Sequence, residues 1–318
     1  MRIDLPEGGK PPPRIHGAIT ALVTPFKNGA LDHVGLMGLV EWQIRNGIAG
    51  LVACGTTGEA PTLTEAEQTR IISICVEIAE GKLPIIAGTG TNSTETTIAR
   101  TRRAATLGAS AALVVVPYYS KPTQEGICRH FEAVAASTDI PLIIYNVPSR
   151  TAADLSPATI ERLAKIPTVI GIKDATGDIS RIVGLSPLLR NRLTMLSGHD
   201  ATALAFAMVG GRGTISVASN VVPRLFSAMQ QAAQAGNFDA ALALQHRLRP
   251  LMRALELETN PVPVKYALHL MRGLDPEVRL PLVPAEEATK AAIRAAVEPF
   301  LKDPMSGCKA RSLVRFDI

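Results

Sequence analysis

Thr168-Val169-Ile170-Gly171-Ile172-Lys173 reads as a buried strand that finishes on an ammonium. Val169, Ile170 and Ile172 are β-branched and apolar, the composition of a strand covered on both faces. A lysine is an odd residue to finish such a run. An ammonium taken out of water loses hydration, which favours the free amine, and a free amine can form a Schiff base with a carbonyl compound. Taken alone, a strand-end lysine is more often solvated or ion-paired. Its meaning depends on what surrounds it.

Working outward, seven further runs of the same kind cover 18–23, 50–53, 84–87, 111–116, 141–145, 194–196 and 213–216. Helical patterns separate them, among them 65–80, 94–107 and 201–209. Thr64 with Glu67 three residues on, and Ser156 followed by Pro157, mark helix starts. Eight β–α alternations predict an α/β fold, a (β/α)8 TIM barrel, over a doubly wound open sheet. Helical stretches at 238–256, 263–271 and 285–300 predict a C-terminal helical extension. The expected division is a flexible N-terminal extension at 1–16, the barrel at 17–234, the helical extension at 235–302 and a flexible tail at 303–318.

The 318 residues are 47% hydrophobic but only 4% aromatic and 19% charged, which suits an aliphatic parallel sheet under helices. The net charge of +5 is mild, and no basic stripe with interleaved aromatics appears, so no nucleic-acid partner is expected. Lys309, Arg311 and Arg315 read as a solvated terminus. No apolar stretch approaches about 18 residues, and the polar, proline-rich segment 1–13 lacks the core of a signal peptide. A cytoplasmic protein with no membrane partner is expected. Cys54, Cys75, Cys128 and Cys308 have no CxxC spacing, which fits reduced thiols. The six histidines show no metal-ligand spacing, so no metal is expected.

Active sites of such barrels lie where strands end and βα loops begin. There the chain places Gly55-Thr56-Thr57-Gly58-Glu59, Pro117-Tyr118-Tyr119, Tyr145-Asn146-Val147-Pro148-Ser149-Arg150, Lys173, Ser197-Gly198-His199-Asp200 and Thr214-Ile215-Ser216-Val217. Thr56 and Thr57 offer hydroxyls to a small carboxylate, and the flanking glycines let backbone approach it. The loop lacks the Gly-Lys-Ser/Thr ending of a phosphate loop. Tyr145 and Tyr119 can relay protons, and Arg150 can grip a carboxylate with two prongs. Gly88-Thr89-Gly90-Thr91-Asn92-Ser93 lacks the third glycine of a dinucleotide fingerprint and reads as a βα turn. Asp200 beside His199 reads as the cap of the next helix, and Cys54 as a small buried apolar residue.

These residues together resemble the dihydrodipicolinate synthases, within the N-acetylneuraminate lyase superfamily of Schiff-base aldolases. The resemblance covers about 17–297. It rests on Gly55-Thr56-Thr57-Gly58-Glu59, Tyr118-Tyr119, the run from Tyr145 through Arg150 to Thr151, Gly171-Ile172-Lys173-Asp174-Ala175-Thr176-Gly177, and Leu196-Ser197-Gly198. It implies that Lys173 forms an imine with pyruvate and that Thr56 and Thr57 hold the pyruvate carboxylate. Tyr145, Thr57 and Tyr119 would relay protons, with Tyr119 reaching a neighbouring subunit's site. Arg150 would bind the carboxylate of L-aspartate 4-semialdehyde, and the backbone at Gly198 and Ile215 would line the pocket. It further implies a homotetramer built as a dimer of dimers, 4-hydroxy-tetrahydrodipicolinate as product on the route to diaminopimelate and lysine, and no metal or organic cofactor.

Two alternatives stand beside this reading. One is a pyruvate aldolase or lyase acting on a 2-keto-3-deoxy sugar acid or another aldehyde. The other is a non-catalytic keto-acid-binding barrel. The double threonine and Arg150 favour the synthases over the sugar-acid lyases, and Lys173 with Tyr145 argues against a mere binding protein. One departure concerns regulation. Lysine-inhibited bacterial relatives often carry histidines on the helix after the threonine loop, and an acid four residues past an asparagine. Here the matching positions hold Glu65, Gln68 and Thr96. Asn92 and Tyr118 are kept and Glu95 is one place off, so weak or absent lysine inhibition is expected.

Overall fold

The computed structural model describes residues 14–306. Segments 1–13 and 307–318, with Cys308, Lys309, Arg311 and Arg315, lie outside the described residues. Packing nevertheless starts and ends inside the expected tails. Ile15 is buried in the barrel-interior cluster, and Ser306 is buried with its backbone N–H on the Asp303 carbonyl.

Among the described residues, eight parallel strands close into a barrel in chain order: Gly17–Ala21, Gly50–Ala53, Ile85–Gly88, Ala111–Val115, Leu142–Asn146, Val169–Asp174, Thr194–Ser197 and Gly213–Ser216. The closing pairs put Ile19 beside both Ile215 and Gly50. Side chains alternate across each strand. Ile19, Val52, Ile86, Leu113, Ile143, Tyr145, Leu196 and Ile215 point inward and form one cluster. Their outward neighbours join the helices: Leu51 and Ile85 in one core, Val114, Ile144, Ile172 and Met195 in another. Burial on both faces explains why the strands read as continuous apolar runs. The sixth strand continues through Lys173 to Asp174, so Lys173 is its penultimate residue rather than its end. The reason is pairing: Asp174 stays in register with Asn146 and Ser197 on the flanking strands.

The two sequence-marked helix starts are built as expected. Thr64 accepts from the Glu67 N–H while the Glu67 carboxylate accepts from the Thr64 N–H, a complete capping box. Ser156 accepts from the Thr159 N–H with Pro157 in the first turn. Glu67 has a second task. Its carboxylate takes two bonds from Arg279, at 2.9 and 2.6 Å, and that guanidinium lies 4.2 Å from the Phe26 ring centre. The Arg279 hydrogen bonds hold the Glu67 carboxyl well below its ordinary 4.5, at about 2. The folded pKa is the lower one, so the stabilisation is complete above 4.5 and is lost as pH falls toward about 2. The melting-temperature gap between the native chain and Glu67→Gln should therefore narrow across that window. A gap that stays constant through it would contradict this account.

Helices Phe238–Ala254, Val262–Arg272 and Glu287–Leu301 form the C-terminal extension. Leu248, Met252, Val264, Leu268, Ile293 and Phe300 share a single core with Leu22, Val23 and Phe26 of the barrel. The extension is thus packed onto the barrel rim rather than built round a core of its own. No helix among the described residues is long and apolar enough to cross a membrane.

Candidate active site

Tyr145 and Lys173 are register partners on adjacent strands, which sets both side chains inward at the same height. The Lys173 Nζ lies 4.1 Å from the centre of the Tyr145 ring. Lys173 is 6% exposed and Tyr145 7%. Among the described residues no carboxylate pairs with the Lys173 amine. The adjacent Asp174 carboxylate is committed elsewhere, to the Thr176 N–H and hydroxyl and to Arg181. Arg181 also clamps Asp154, which accepts from the Asn146 side chain, while the Ala175 N–H donates to the Asn146 carbonyl. This buried-edge network fixes the ends of the fifth and sixth strands. The amine stands on a rigid base against an aromatic face.

Gly198 leaves room for the stem that carries the amine. A Cβ there would stand 2.8 Å from the Lys173 Cε and 2.7 Å from the Ala175 Cβ, both inside normal contact. The Gly198 N–H also donates to the Asp174 carbonyl at 2.6 Å, so the backbone cannot swing away freely. Gly198→Ala should therefore push the lysine stem off line. An expected drop of about 10²-fold in kcat, with a near-native melting temperature, follows from a displacement near 1 Å. Full activity in steady-state assay would show that the stem yields at no cost.

The double-threonine loop is held from behind. Thr57 is buried and accepts from the Asn260 side-chain amide at 2.9 Å, which leaves its own hydroxyl proton free to donate into the cavity. The loop is bounded by two non-glycine residues in left-handed backbone, Cys54 (φ 54°) and Glu59 (φ 55°). Such positions persist only when surrounding structure over-determines them. Here Glu59 forms a buried ion pair with Lys265 at 2.5 Å and accepts from the Arg279 N–H at 3.0 Å. The Thr24 hydroxyl also donates to the Gly58 carbonyl at 2.7 Å. The glutamate of the threonine motif is an anchor and takes no place in the cavity wall.

A cavity of about 180 Å³ opens over these groups. Of the residues singled out from sequence, Lys173, Tyr145, Thr56, Thr57, Arg150 and Gly198 line it. Arg150 sits on the short helix Pro148–Thr151, exposed and with no ion pair among the described residues. Ile215 is buried in the barrel interior and does not line the cavity; Val217, two residues on, does. Tyr119 does not line it either. It is 89% exposed and held at φ 72°. Asp200 caps no helix through its side chain. Its carboxylate accepts the Val217 and Ala218 N–H groups and so ties the seventh loop to the eighth. His199 faces Glu256 rather than Asp200, with Nε2 3.5 Å from the carboxylate.

The sequence reading missed the wall given by Met252, Leu255, Glu256 and Asn260. All four come from the end of one extension helix and the link to the next, far from any strand. Asn260 just before Pro261 carried no periodic signal that could have marked it. The 88–93 turn packs as expected: Cβ atoms at Gly88 and Gly90 would strike the Cys54 carbonyl and the Val115 nitrogen, and Ser93 caps the following helix. Cys54 is a free, buried thiol whose pKa is pushed up by burial.

Comparison with known proteins places this geometry among relatives. The sequence model of the family described as the dihydrodipicolinate synthetase family matches residues 14–299. The chain is 48% identical to a 4-hydroxy-tetrahydrodipicolinate synthase of Rhodospirillum centenum, over 88% of this chain and 97% of that one. Among solved structures, the dihydrodipicolinate synthase of Thermotoga maritima superposes with a TM-score of 0.87 at 44% identity, covering 89% of this chain and 98% of the other. The chloride-inhibited dihydrodipicolinate synthase of Acinetobacter baumannii, complexed with pyruvate, gives a TM-score of 0.88 at 44% identity, covering 93% and 100%.

Proposed function

The chain belongs to the dihydrodipicolinate synthetase family, and on that premise we propose how its cavity works. It is a lyase that condenses pyruvate with L-aspartate 4-semialdehyde to give 4-hydroxy-tetrahydrodipicolinate. One observation carries the residue assignment: an inward, 6% exposed lysine with no carboxylate partner among the described residues, set against Tyr145 on the floor of a cavity that also holds both threonines.

The Lys173 amine attacks the pyruvate carbonyl, and water leaves to give an imine. Thr56 and Thr57 hold the pyruvate carboxylate. The cationic imine nitrogen draws electrons from the methyl group, which loses a proton through Tyr145 and Thr57 to form an enamine. The enamine carbon bonds to the aldehyde carbon of the semialdehyde, whose own carboxylate meets Arg150. The semialdehyde amine then adds to the imine carbon and Lys173 departs as the free amine, closing the ring. The imine is the electron sink, so the scheme calls on no metal or organic cofactor. Arg150 at the mouth favours an aldehyde bearing a carboxylate over a sugar chain.

Tyr119, fully exposed in left-handed backbone, suits a role in a neighbouring subunit's site, within a homotetramer made of two dimers. A cytoplasmic setting fits a biosynthetic enzyme of this kind. The positions expected to accept an inhibitory lysine are otherwise occupied. Glu65 pairs with Arg103, Gln68 donates to the Ala60 and Leu63 carbonyls, and the Thr96 hydroxyl donates to Ser93. Lysine inhibition should be weak or absent, and sub-millimolar inhibition in a coupled assay would refute this.

Borohydride reduction in the presence of pyruvate, followed by peptide mass mapping, tests the imine. A mass increment is expected on Lys173, and none there removes the mechanism. Turnover with a panel of aldehydes tests the acceptor. Activity with sugar aldehydes and none with aspartate semialdehyde would favour the sugar-acid reading.

A further inference from the structure

The cavity wall carries two carboxylates that the reaction scheme leaves unused. Glu256 lines the cavity beside Arg150, Lys173, Asp200 and His199. Of the two carboxylates, Asp200 is 9% exposed with one oxygen spent on the Val217 and Ala218 N–H groups. The Glu256 side chain is 51% exposed, and its one ionic contact among the described residues is the His199 Nε2 at 3.5 Å, too long for a strong bond. It is the carboxylate left open to a ligand.

His199 is itself fixed from two sides. Its Nδ1 lies 2.9 Å from the Thr202 hydroxyl, and its ring rests on Gly177, where a Cβ would come within 3.2 Å of Nδ1. Gly177 is at φ 74°, a conformation that other residues rarely take. The loop that follows Lys173 is therefore shaped to seat this imidazole, and the imidazole in turn stands against Glu256. The cavity wall thus carries a guanidinium with no ion pair among the described residues and a half-exposed carboxylate facing a seated imidazole.

The acceptor aldehyde presents both charges that such a pair would read, a carboxylate and an ammonium. We propose that Glu256, steadied by His199, is a specificity-determining residue that recognises the ammonium group of the amino-aldehyde substrate. This rests on the reading of the site given above. Arg150 takes the carboxylate, and Glu256 accepts a charge-assisted hydrogen bond from the ammonium. The contact selects acceptors that carry an amine, because an amine-free analogue leaves the Glu256 carboxylate without its ligand partner.

The test compares two acceptors that differ only in the amine. Steady-state kinetics with L-aspartate 4-semialdehyde, and inhibition by succinic semialdehyde, are measured for the native chain, Glu256→Gln and His199→Asn. Borohydride labelling of Lys173 by pyruvate reports on folding and on the first half-reaction. Loss of one charge-assisted bond should lower kcat/KM for the amino aldehyde by about tenfold or more in Glu256→Gln, with a smaller loss in His199→Asn. Succinic semialdehyde inhibition and pyruvate labelling should stay within about twofold, the size of a weak surface effect. Equal losses for both aldehydes, or an unchanged kcat/KM for the amino aldehyde, would overturn the proposal. A native chain that does not turn over aspartate semialdehyde at all would overturn the underlying reading, and the proposal with it.

Discussion

Lys173→Ala should lower turnover by at least about three orders of magnitude and abolish borohydride trapping of pyruvate. The argument is chemical before it is structural. Among the cavity-lining residues, Lys173 offers the one primary amine, so no neighbour can form the imine in its place. Lys173→Arg separates charge from nucleophilicity: it keeps a cation on the cavity floor but offers no amine that adds to a ketone. It should be as inactive as the alanine variant. If Lys173→Arg kept more than a few per cent of turnover, Lys173 would be acting through its charge alone. Stability should move the other way. A buried amine with no carboxylate partner among the described residues is a cost carried for function, so Lys173→Met should leave the melting temperature unchanged or raise it by a few degrees.

The barrel was legible because each strand is buried on both faces and therefore announces itself as an apolar run. Lys173 was legible because it interrupts that rule. Its neighbours on the rim followed from the geometry of parallel barrels, in which strand ends meet however far apart they lie in the chain. Glu256 and Asn260 were not legible, because their approach to the cavity depends on how the extension helices fold back over the rim. Asp200 was misread for a related reason. Its place before a helix suggested a cap, but the nearby Val217 and Ala218 N–H groups, 17 and 18 residues away, compete for the carboxylate and win. Two residues named by resemblance lie outside the lining of this cavity. Ile215 is buried in the barrel interior, and Tyr119, expected at a neighbouring subunit's site, is exposed.

Lys265→Met should destabilise the fold by about 3–5 kcal/mol, the range for removing one partner of a buried ion pair. The Lys265 and Glu59 side chains are 2% and 1% exposed, so the carboxylate left behind has no water to turn to. The lost Nζ contacts include the Glu277 carbonyl at 2.6 Å and the Phe26 ring at 4.2 Å. Chemical denaturation of the double variant Glu59→Gln, Lys265→Met should recover part of the loss, because the buried charge is gone from both sides. Recovery of stability should not restore catalysis. Glu59 is two residues past Thr57, and Lys265 is five past Asn260, whose amide grips the Thr57 hydroxyl. The Glu59–Lys265 pair thus ties together the two segments that carry Thr57 and Asn260, whose mutual bond lies at the proposed pyruvate site. The double variant should show a pyruvate KM raised about tenfold or more even where its melting temperature recovers, since small displacements of a positioning group weigh heavily on a reacting geometry. A loss below about 1 kcal/mol in Lys265→Met would mean that the pair contributes no more than an exposed one. A native pyruvate KM in the double variant would mean that the threonine loop holds its shape without the ion pair.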